Sequence, residues 1–360
     1  MSIDTLWYTR CPVPTAFSIA VQRGLLDEEF GADGIRIQSL HGSPDPAVRQ
    51  SHFAHTQPHS FRHGGHIPPL WARSQGRDVR LIGLSWNDEY QAVIALPESG
   101  ITTVAGLRGK RLGIPRRIND PIDFWRASGL RGFRSALHTA GLTERDVELI
   151  ELPIGRTYVD DARPGTSHAG SLWGSVTMRA LQRAETFALI NGSVDAIFAP
   201  GSVGVETTAL LGATVVIDLD REPERELRLN NATLLALTVD GNLLDEHPDY
   251  VTRVLVRVLE AAEWARSSHD AASRIVANEV GSAEDVLPLA YRADFLDHLA
   301  LDLSDDNITA LGLQHQLLLE HGFLDAPVEI DRYIDRRPLD AARRIHAARA
   351  TREQFATSAS

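Results

Sequence analysis

Hydrophobic and polar positions along the N-terminal part of the chain follow two alternating periods. Short apolar runs predict strands over 35–40, 79–84 and 92–96, and helical spacing predicts helices over 15–23 and 67–75. Prolines stand at the start of both helices, where their missing N–H costs no hydrogen bond. Strands that alternate with helices predict an α/β protein built on mainly parallel sheets.

Helical periodicity dominates the C-terminal part and predicts helices over 251–264, 286–299 and 307–319. Glycines and turn residues near 97–100 and 209–213 separate the apolar runs and predict changes of domain. We therefore expect one discontinuous domain formed by 1–96 and 213–360, and an inserted domain formed by 97–212. Within the insert, 160–174 is rich in Gly, Ser and Pro, which predicts a mobile loop.

Length and charge narrow the classes of function. The chain has 360 residues, which suits two domains, and a net charge of −12. The lack of a basic surplus argues against nucleic acid or an anionic membrane as a partner. The N-terminus shows no signal-peptide pattern, and no run reaches the ~20 apolar residues of a spanning helix. These features predict a cytoplasmic protein with no membrane partner.

The sequence offers little to hold a cofactor. It contains neither G-x-G-x-x-G after a strand nor G-x-x-x-x-G-K-[ST], so it predicts no nucleotide cofactor. A single cysteine excludes an internal disulfide. His59 and His63 have the spacing of metal ligands on a helix, but Pro58 argues against a continuous helix there. We expect no metal and no other cofactor.

Candidate chemistry begins with Cys11, which lies in the segment Trp7-Tyr-Thr-Arg-Cys-Pro-Val-Pro14 before the first predicted helix. A lone cysteine in a chain with several histidines is a candidate for thiol chemistry, because a thiolate is a strong nucleophile. The alternative is a small apolar core residue, since free cysteine is among the most buried residue types. A second segment, 50–69, holds five histidines together with Arg62 and the pair Gly64-Gly65.

Together the two segments form a recognisable pattern. The CPVP of 11–14 and the run HF-x₄-P-x₃-R-x-GG-x-IPPL of 52–70 resemble the aromatic sulfinate desulfinases of dibenzothiophene desulfurisation. In that resemblance, Cys11, His52 and Arg62 match the catalytic cysteine, histidine and arginine of the family. Gly65 matches the glycine whose backbone N–H faces the sulfinate.

The resemblance extends over most of the chain. Further similar segments are 107–114, 146–149, 192–198 and 212–219, and these also resemble type II periplasmic binding proteins for sulfonates, taurine and nitrate. The resemblance therefore implies a two-domain, type II periplasmic-binding-protein-like fold with a cleft between the domains.

As an activity, the resemblance implies hydrolytic desulfination of a small aromatic sulfinate, with release of the arene and sulfite. We expect the protein to be a monomer. Arg62 would clamp the sulfinate oxygens, and Gly64-Gly65 would add backbone N–H donors. Cys11 has two open roles, as a thiolate that attacks sulfur or as a thiol that protonates the ring carbon. Its place before a helix and near Arg62 favours the thiolate, whereas the sulfinate charge opposes it. His52 would orient Cys11, exchange a proton with it or activate water.

Substrate identity is less well determined than the reaction class. The substrate-binding residues expected around the motif are Gly64, Gly65, Phe53, Gln57 and Phe61. The aromatic residues available to line an apolar pocket, most of them better suited to the core, are Trp7, Phe53, Phe61, Trp86, Trp125 and Trp173.

The chain departs from the family pattern near the site. His55 stands where the family has a tyrosine, Arg10 stands where it has an asparagine, and 120–134 matches poorly. The first two changes would alter the size and polarity of the pocket. His55, His59, His63 and His66 are expected at the surface or around the site.

Two other functions remain open on the sequence alone. A sulfonate-binding or similar anion-binding protein would use Arg62 and Gly65 as ligands and leave Cys11 idle, but such proteins are normally exported. A Cys–His hydrolase or transferase acting on an acyl or pyrimidine-like substrate would use the same dyad without requiring Arg62.

Overall fold

A computed structural model describes residues 3–161 and 182–358 of the chain. The predicted loop 160–174 lies outside these ranges except for 160 and 161, and Trp173 also lies outside them.

Two five-stranded sheets form the framework of the described part of the chain. The strands are β1 (Thr5–Arg10), β2 (Arg36–Ser39), β3 (Ser60–Gly65), β4 (Val79–Trp86), β5 (Gln91–Ala95), β6 (Arg111–Arg117), β7 (Glu148–Ile154), β8 (Ala196–Pro200), β9 (Thr214–Asp218) and β10 (Leu234–Asp240).

Helices cover both sheets. In the described ranges they are α1 (Ala16–Gln22), α2 (Leu25–Gly31), α3 (Pro46–Ala54), α4 (Ile67–Ser74), α5 (Phe124–Thr139), α6 (Tyr158–Asp161), α7 (Arg183–Ile190), α8 (Gly201–Leu211), α9 (Arg225–Arg228), α10 (Gly241–Glu246), α11 (Pro248–Ser267), α12 (His269–Val280), α13 (Leu287–Tyr291), α14 (Asp305–Glu320), α15 (Ile330–Tyr333) and α16 (Arg337–Ser358). None of these helices is both long and apolar enough to cross a membrane.

The first sheet has the strand order β2-β1-β3-β10-β4. β1 pairs in parallel with β2 and β3, whereas β10 runs antiparallel to β3 and β4. Because parallel strands end at the same edge, Cys11 directly after β1 and the glycine pair at the end of β3 lie side by side. The candidate site lies at this edge of the first sheet.

The second sheet has the order β7-β6-β8-β5-β9. β6 is parallel to β7 and β8, and β5 is antiparallel to β8 and β9. Both sheets are therefore mixed, where the sequence predicts mainly parallel ones, and the α/β class is confirmed. The second sheet runs from Gln91 to Asp218, so it starts before and ends after the inserted domain expected over 97–212. The division of the chain into those two domains stays a prediction.

Three apolar clusters hold the sheets and helices together. The largest lies around the first sheet and includes α1, α4 and α11, and the two smaller ones cover the second sheet. The first cluster also contains Ile122, Ala127 and Tyr158, which belong to the elements of the second sheet. Apolar packing therefore joins the two halves next to the site.

Most predicted elements are present, and two are not as the sequence pattern suggests. The pattern does not predict β3, because its residues other than Phe61 are polar, charged or glycine, yet all of them are buried. The continuous helix predicted over 286–299 is wrong. α13 ends at Tyr291, and Arg292 has a left-handed φ of 63°. Arg292 instead forms ion pairs with Asp88 (3.1 Å) and Asp220 (3.0 Å), and these tertiary contacts outweigh the local helical period.

Candidate active site

Cys11 follows the last residue of β1 and continues its parallel pairing with β3. Its backbone N–H donates to the carbonyl of His63 at 3.0 Å, and the residue is partly exposed. Thr15 then caps α1, because its side chain accepts a hydrogen bond from the N–H of Ser18. The thiol is therefore held in a short loop between a strand end and a helix start.

His52 faces this thiol from α3. That helix begins at Asp45, which caps Ala47 N–H, and it places His52 in its last turn. The ring Nε2 lies 3.7 Å from Cys11 Sγ, and Nδ1 lies 2.7 Å from Thr9 Oγ1. Burial, together with the charge of Arg62, holds the pKa of His52 well below its ordinary value. His52 is therefore a neutral imidazole whose Nε2 faces the thiol.

Arg62 of β3 also contacts the sulfur of Cys11. Its Nη2 donates to Cys11 Sγ at 3.3 Å, while Nε donates to the carbonyl of His52 at 3.0 Å and Nη1 to the carbonyl of Gly65 at 2.7 Å. The residue is only 2% exposed. Burial lowers the pKa of Arg62, but a guanidinium keeps its charge at any working pH. The structure therefore places a fixed positive charge within hydrogen-bond distance of the sulfur.

The two glycines leave room for these groups. A Cβ on Gly64 would lie 2.3 Å from Cys11 Sγ, and Gly64 has a φ of 157°. A Cβ on Gly65 would lie 2.3 Å from Asn231 Nδ2. The amide of Asn231 is fixed, because its Oδ1 accepts the N–H of Ile67 at 2.9 Å. Only residues without a side chain fit at both positions.

An aromatic stack leads away from His52. Phe53 packs edge-on against the imidazole at 4.6 Å between ring centroids. Phe53 also contacts Phe124 at 6.0 Å and Tyr158 at 5.4 Å, and these two rings stack on each other at 4.4 Å. Phe124 and Tyr158 belong to α5 and α6, so the half of the chain that carries the second sheet supplies one wall beside the site.

Not every residue expected to bind substrate lies with this group. Cys11, His52, Arg62, Gly64, Gly65 and Phe53 are brought together. Phe61 is 3% exposed and belongs to the core cluster, on the face of β3 opposite Arg62. Gln57 lies in the turn before β3, where its N–H donates to Ser51 Oγ at 2.7 Å and its carbonyl accepts from Ser60 Oγ. The structure shows neither side chain in contact with the thiol.

The tryptophans near the two sheets are engaged elsewhere. Trp86 lies under the guanidinium of Arg225 at 3.8 Å, and its Nε1 donates to Asp88. Trp125 Nε1 donates to Glu185 Oε1 at 2.8 Å, while its ring packs edge-on against Phe124. Among those of these aromatic residues that the structure describes, Phe53 is the one whose ring packs against His52.

The other histidines differ from the expectation. His63 and His66 are fully buried, so the surface alternative is wrong for them, because β3 is covered on both faces. Burial lowers the pKa of His63 to about 3 and that of His66 to about 4. His63 lies on a strand, so the helical spacing of metal ligands does not arise. In the described ranges, no group of His, Cys, Asp and Glu side chains is arranged to hold a metal.

The structure also shows where the two residues that depart from the family pattern, His55 and Arg10, are located. His55 ends α3 in a left-handed conformation with φ of 49°. The Arg10 side chain turns to Glu279 of α12, with 2.6 Å between Arg10 Nε and Glu279 Oε1. The expected change of pocket polarity by Arg10 is therefore offset by a carboxylate.

Thr9 is the site residue that the sequence reasoning does not identify. A signal for it exists: residues two apart on a strand point to the same side, so Thr9 and Cys11 share one face at the end of β1. The position of His52 between them is decided only by tertiary packing. Phe124 and Tyr158 carry no sequence signal that links them to Cys11.

The chain is 31% identical over 350 residues to 2'-hydroxybiphenyl-2-sulfinate desulfinase from Rhodococcus erythropolis, which covers 92% of this chain and 91% of that protein. A protein with the same description from Rhodococcus qingshengii gives the same figures. No protein-family profile matches the chain.

Solved structures agree with the sequence relatives. A cysteine-to-serine mutant of DSZB in complex with biphenyl-2-sulfinic acid superposes with a TM-score of 0.75 and 27% identity, over 96% of this chain and 100% of that one. The alkanesulfonate-binding protein SsuA from Xanthomonas axonopodis pv. citri, bound to MOPS, gives a TM-score of 0.63 at 17% identity, over 93% and 99% of the two chains. At that identity the second likeness shows the fold alone.

Fold and site together define an α/β protein of the periplasmic-binding-protein-like type that carries a thiol, an imidazole and a guanidinium at the edge of its first sheet. Within that class, the chain belongs to the 2'-hydroxybiphenyl-2-sulfinate desulfinase family. The expected family, fold class and enzyme class are thereby confirmed.

Proposed function

We propose that this enzyme catalyses the hydrolytic desulfination of an aromatic sulfinate, 2'-hydroxybiphenyl-2-sulfinate or a close analogue. The aryl sulfinate and one water would give the arene and hydrogen sulfite, so that the bond between ring carbon and sulfur is replaced by a bond to hydrogen. The names of the relatives and the aryl sulfinate held by the DSZB mutant support this substrate class.

One observation carries the proposal: the sulfur of Cys11 lies between a charged guanidinium at 3.3 Å and a neutral imidazole at 3.7 Å. The guanidinium stabilises negative charge that develops on the sulfur. The neutral imidazole faces the thiol through Nε2, so it can take the proton during the reaction and release it readily because its pKa is lowered. Arg62 retains one further N–H on each terminal nitrogen beyond these contacts, which suits the two oxygens of a sulfinate. Cys11, His52 and Arg62 are thus assigned to nucleophile, base and anion clamp.

Two routes were open from the sequence, and the geometry favours attack on sulfur. Because Arg62 donates an N–H to Sγ, it would stabilise the negative charge on sulfur that the attack route requires. The thiolate would bond to the sulfinate sulfur, the ring carbon would leave with the electron pair and take the proton held by His52, and Cys11 would carry an S–SO₂⁻ group. Water would then release hydrogen sulfite and restore the thiol. In the other route, the thiol protonates the ring carbon and sulfur dioxide leaves to be hydrated.

The aromatic part of the substrate would lie against the stack of Phe53, Phe124 and Tyr158. These rings extend from His52 across the two halves of the chain, and flat aryl groups pack well on such surfaces. Gly64 and Gly65 would allow close approach of the anion to the backbone. Substrate contacts of Gln57 and Phe61 stay predictions.

We further propose that the enzyme acts as a cytoplasmic monomer without a metal or other cofactor. The thiol of Cys11 is free, and a reducing compartment keeps such a thiol reduced. Fractionation of cells, light scattering of the purified protein, and turnover in a metal chelator test these three statements.

The central experiment mixes the purified protein with 2'-hydroxybiphenyl-2-sulfinate and follows 2-hydroxybiphenyl by fluorescence and sulfite by a colorimetric assay. We expect equal amounts of both products from the parent and none from Cys11→Ser. Intact-mass spectrometry of a rapidly quenched reaction would detect the added SO₂ on Cys11 if the attack route holds.

A panel of other aryl sulfinates separates the alternatives. Turnover of a different aryl sulfinate alone would keep the reaction and replace the substrate. Binding of sulfonates by calorimetry without turnover of any sulfinate would overturn the proposal in favour of an anion-binding protein.

A further inference from the structure

A buried ion pair lies directly beside the catalytic loop. Arg10, the residue before Cys11, donates its Nε to Glu279 Oε1 at 2.6 Å. The side chains of Arg10 and Glu279 are 19% and 7% exposed. Arg10 is thus turned away from the thiol, and the carboxylate of α12 neutralises it.

The same carboxylate also holds the other end of the loop. Glu279 Oε1 accepts from Ser18 Oγ at 3.2 Å, and Oε2 accepts from Gln22 Nε2 at 2.7 Å. Ser18 in turn accepts from Thr15 Oγ1 at 2.8 Å, and Thr15 is the residue that caps α1. One carboxylate therefore ties the residue before Cys11 to the first turns of the helix that follows it.

We propose that Glu279 is a positioning residue for Cys11, fixing both ends of the loop 11–14 against α12. The thiol depends on this anchoring, because its contacts to Arg62 and His52 are single contacts at 3.3 and 3.7 Å and the loop itself has few backbone hydrogen bonds. The one within it joins Val13 N–H to the carbonyl of Cys11 at 2.8 Å. The kinetic part of this inference rests on the proposed desulfination; the geometric part does not.

Glu279→Gln tests the anchor with little change of shape. A carboxamide has one acceptor oxygen in place of two, so it cannot serve Arg10, Ser18 and Gln22 together. It also removes the negative charge that neutralises the guanidinium of Arg10. The chain offers a matched control in Glu29, which pairs with Arg253 and Arg257 at 2.7 Å each, is 12% exposed, and lies on α2.

We expect Glu279→Gln to lower kcat for the aryl sulfinate by about tenfold or more, because small displacements of a reacting group cost large factors in rate. KM should stay within about twofold, since Glu279 touches neither the aromatic stack nor Arg62. Alkylation of Cys11 by iodoacetamide should change by a similar factor. Glu29→Gln should lower the melting temperature comparably and leave kcat and the alkylation rate at parent values.

A double-mutant cycle adds a rescue. Arg10→Gln removes the charge that is no longer neutralised, so the double variant Arg10→Gln/Glu279→Gln should recover part of the kcat lost in Glu279→Gln. Parent-like kcat and alkylation rate in Glu279→Gln, or an equal loss in Glu29→Gln, would overturn the inference. If the parent turns over no sulfinate, the proposed function fails, and the alkylation rates alone decide whether Glu279 positions the thiol.

Discussion

At the scale of single residues, each group around the sulfur of Cys11 has a distinct role. Arg62 supplies a fixed charge at 3.3 Å, His52 supplies a neutral ring at 3.7 Å, and Gly64 leaves the space that the sulfur occupies. Thr9 acts through His52, because its hydroxyl lies 2.7 Å from Nδ1. The hydrogen bond of one ring nitrogen sets the orientation of the ring and the tautomer available at the other.

Thr9→Val replaces that hydroxyl by a methyl group of similar size. We expect kcat to fall about tenfold, because one hydrogen bond contributes about 1 kcal/mol and its loss frees the ring to turn. KM should remain near the parent value. Steady-state kinetics with Thr9→Ser as the control measures this, since serine keeps the hydroxyl. Equal activity of the valine and serine variants would show that His52 needs no such support.

Gly64→Ala brings a methyl group to 2.3 Å from Cys11 Sγ. The sulfur must move away from Arg62 or His52, so we expect kcat/KM to fall by at least about 100-fold. Gly312→Ala is the control, because a Cβ there meets nothing within 4 Å. Unchanged turnover by Gly64→Ala would mean that the sulfur reacts from another position.

At the scale of elements, the site is shared between the two halves of the chain. β1, β3 and α3 position the proposed reacting groups, and α5 and α6 bring Phe124 and Tyr158 against Phe53. Asp123 holds the start of α5 in place: it caps Arg126 N–H at 3.1 Å and accepts from Tyr158 Oη at 2.9 Å. Phe124 and Tyr158, which form the aromatic wall, therefore lie at the starts of two helices, and a movement of α5 would move the wall with it.

Phe124→Ala removes the central ring of this wall. We expect KM for 2'-hydroxybiphenyl-2-sulfinate to rise about tenfold, since an aromatic contact contributes up to about 1.5 kcal/mol beyond its buried area. Benzenesulfinate has no second ring, so its KM should change less. Comparison of the two substrates, with the 60% exposed Phe187→Ala as control, measures the effect. The same KM change for both substrates would place the second ring elsewhere.

At the scale of the whole molecule, buried titrating groups set the dependence of stability on pH. Burial lowers the pKa of the histidines around the site, to about 4 for His41 and His66, to about 3 for His55 and His63, and well below the ordinary value for His52. Burial also raises the pKa of Glu89 to about 8 and that of Glu185 to about 7. The two sets act in opposite directions.

Below about pH 6.5 the unfolded chain binds protons on these histidines and the native chain does not, so the free energy of unfolding falls as pH drops toward 4. Between about pH 4.3 and the raised values, the unfolded chain has lost the protons that native Glu89 and Glu185 still hold, so stability falls as pH rises toward 8. The histidines outnumber the two acids, and we expect maximal stability near neutral pH.

Urea unfolding at several pH values measures this curve. His63→Gln should flatten its acid side, and His298→Gln, at a side chain that is 59% exposed, serves as the exposed control. Glu89→Gln should reduce the decline above neutral pH. A stability that is constant from pH 5 to 7 would contradict the assignment of neutral, buried histidines.

The family, the α/β class and the candidate residues of the thiol site could be predicted from the sequence by itself, because they depend on local spacing and local period. Cys11, His52, Arg62 and the glycine pair lie in two short runs, and the helices over 15–23 and 67–75 have clear periods with proline at their starts. Such local signals need no knowledge of distant parts of the chain.

Only the tertiary structure decided the position of β3 and the long-range contacts around the site. β3 has no apolar pattern, and it is a strand because β1 and β10 pair with it on either side. Arg10 reaches Glu279, and Phe53 reaches Phe124 and Tyr158, across long stretches of sequence. Contacts of this kind leave no period or spacing in the sequence. They are stabilised by burial between elements, and the sequence pattern does not show how those elements lie relative to one another.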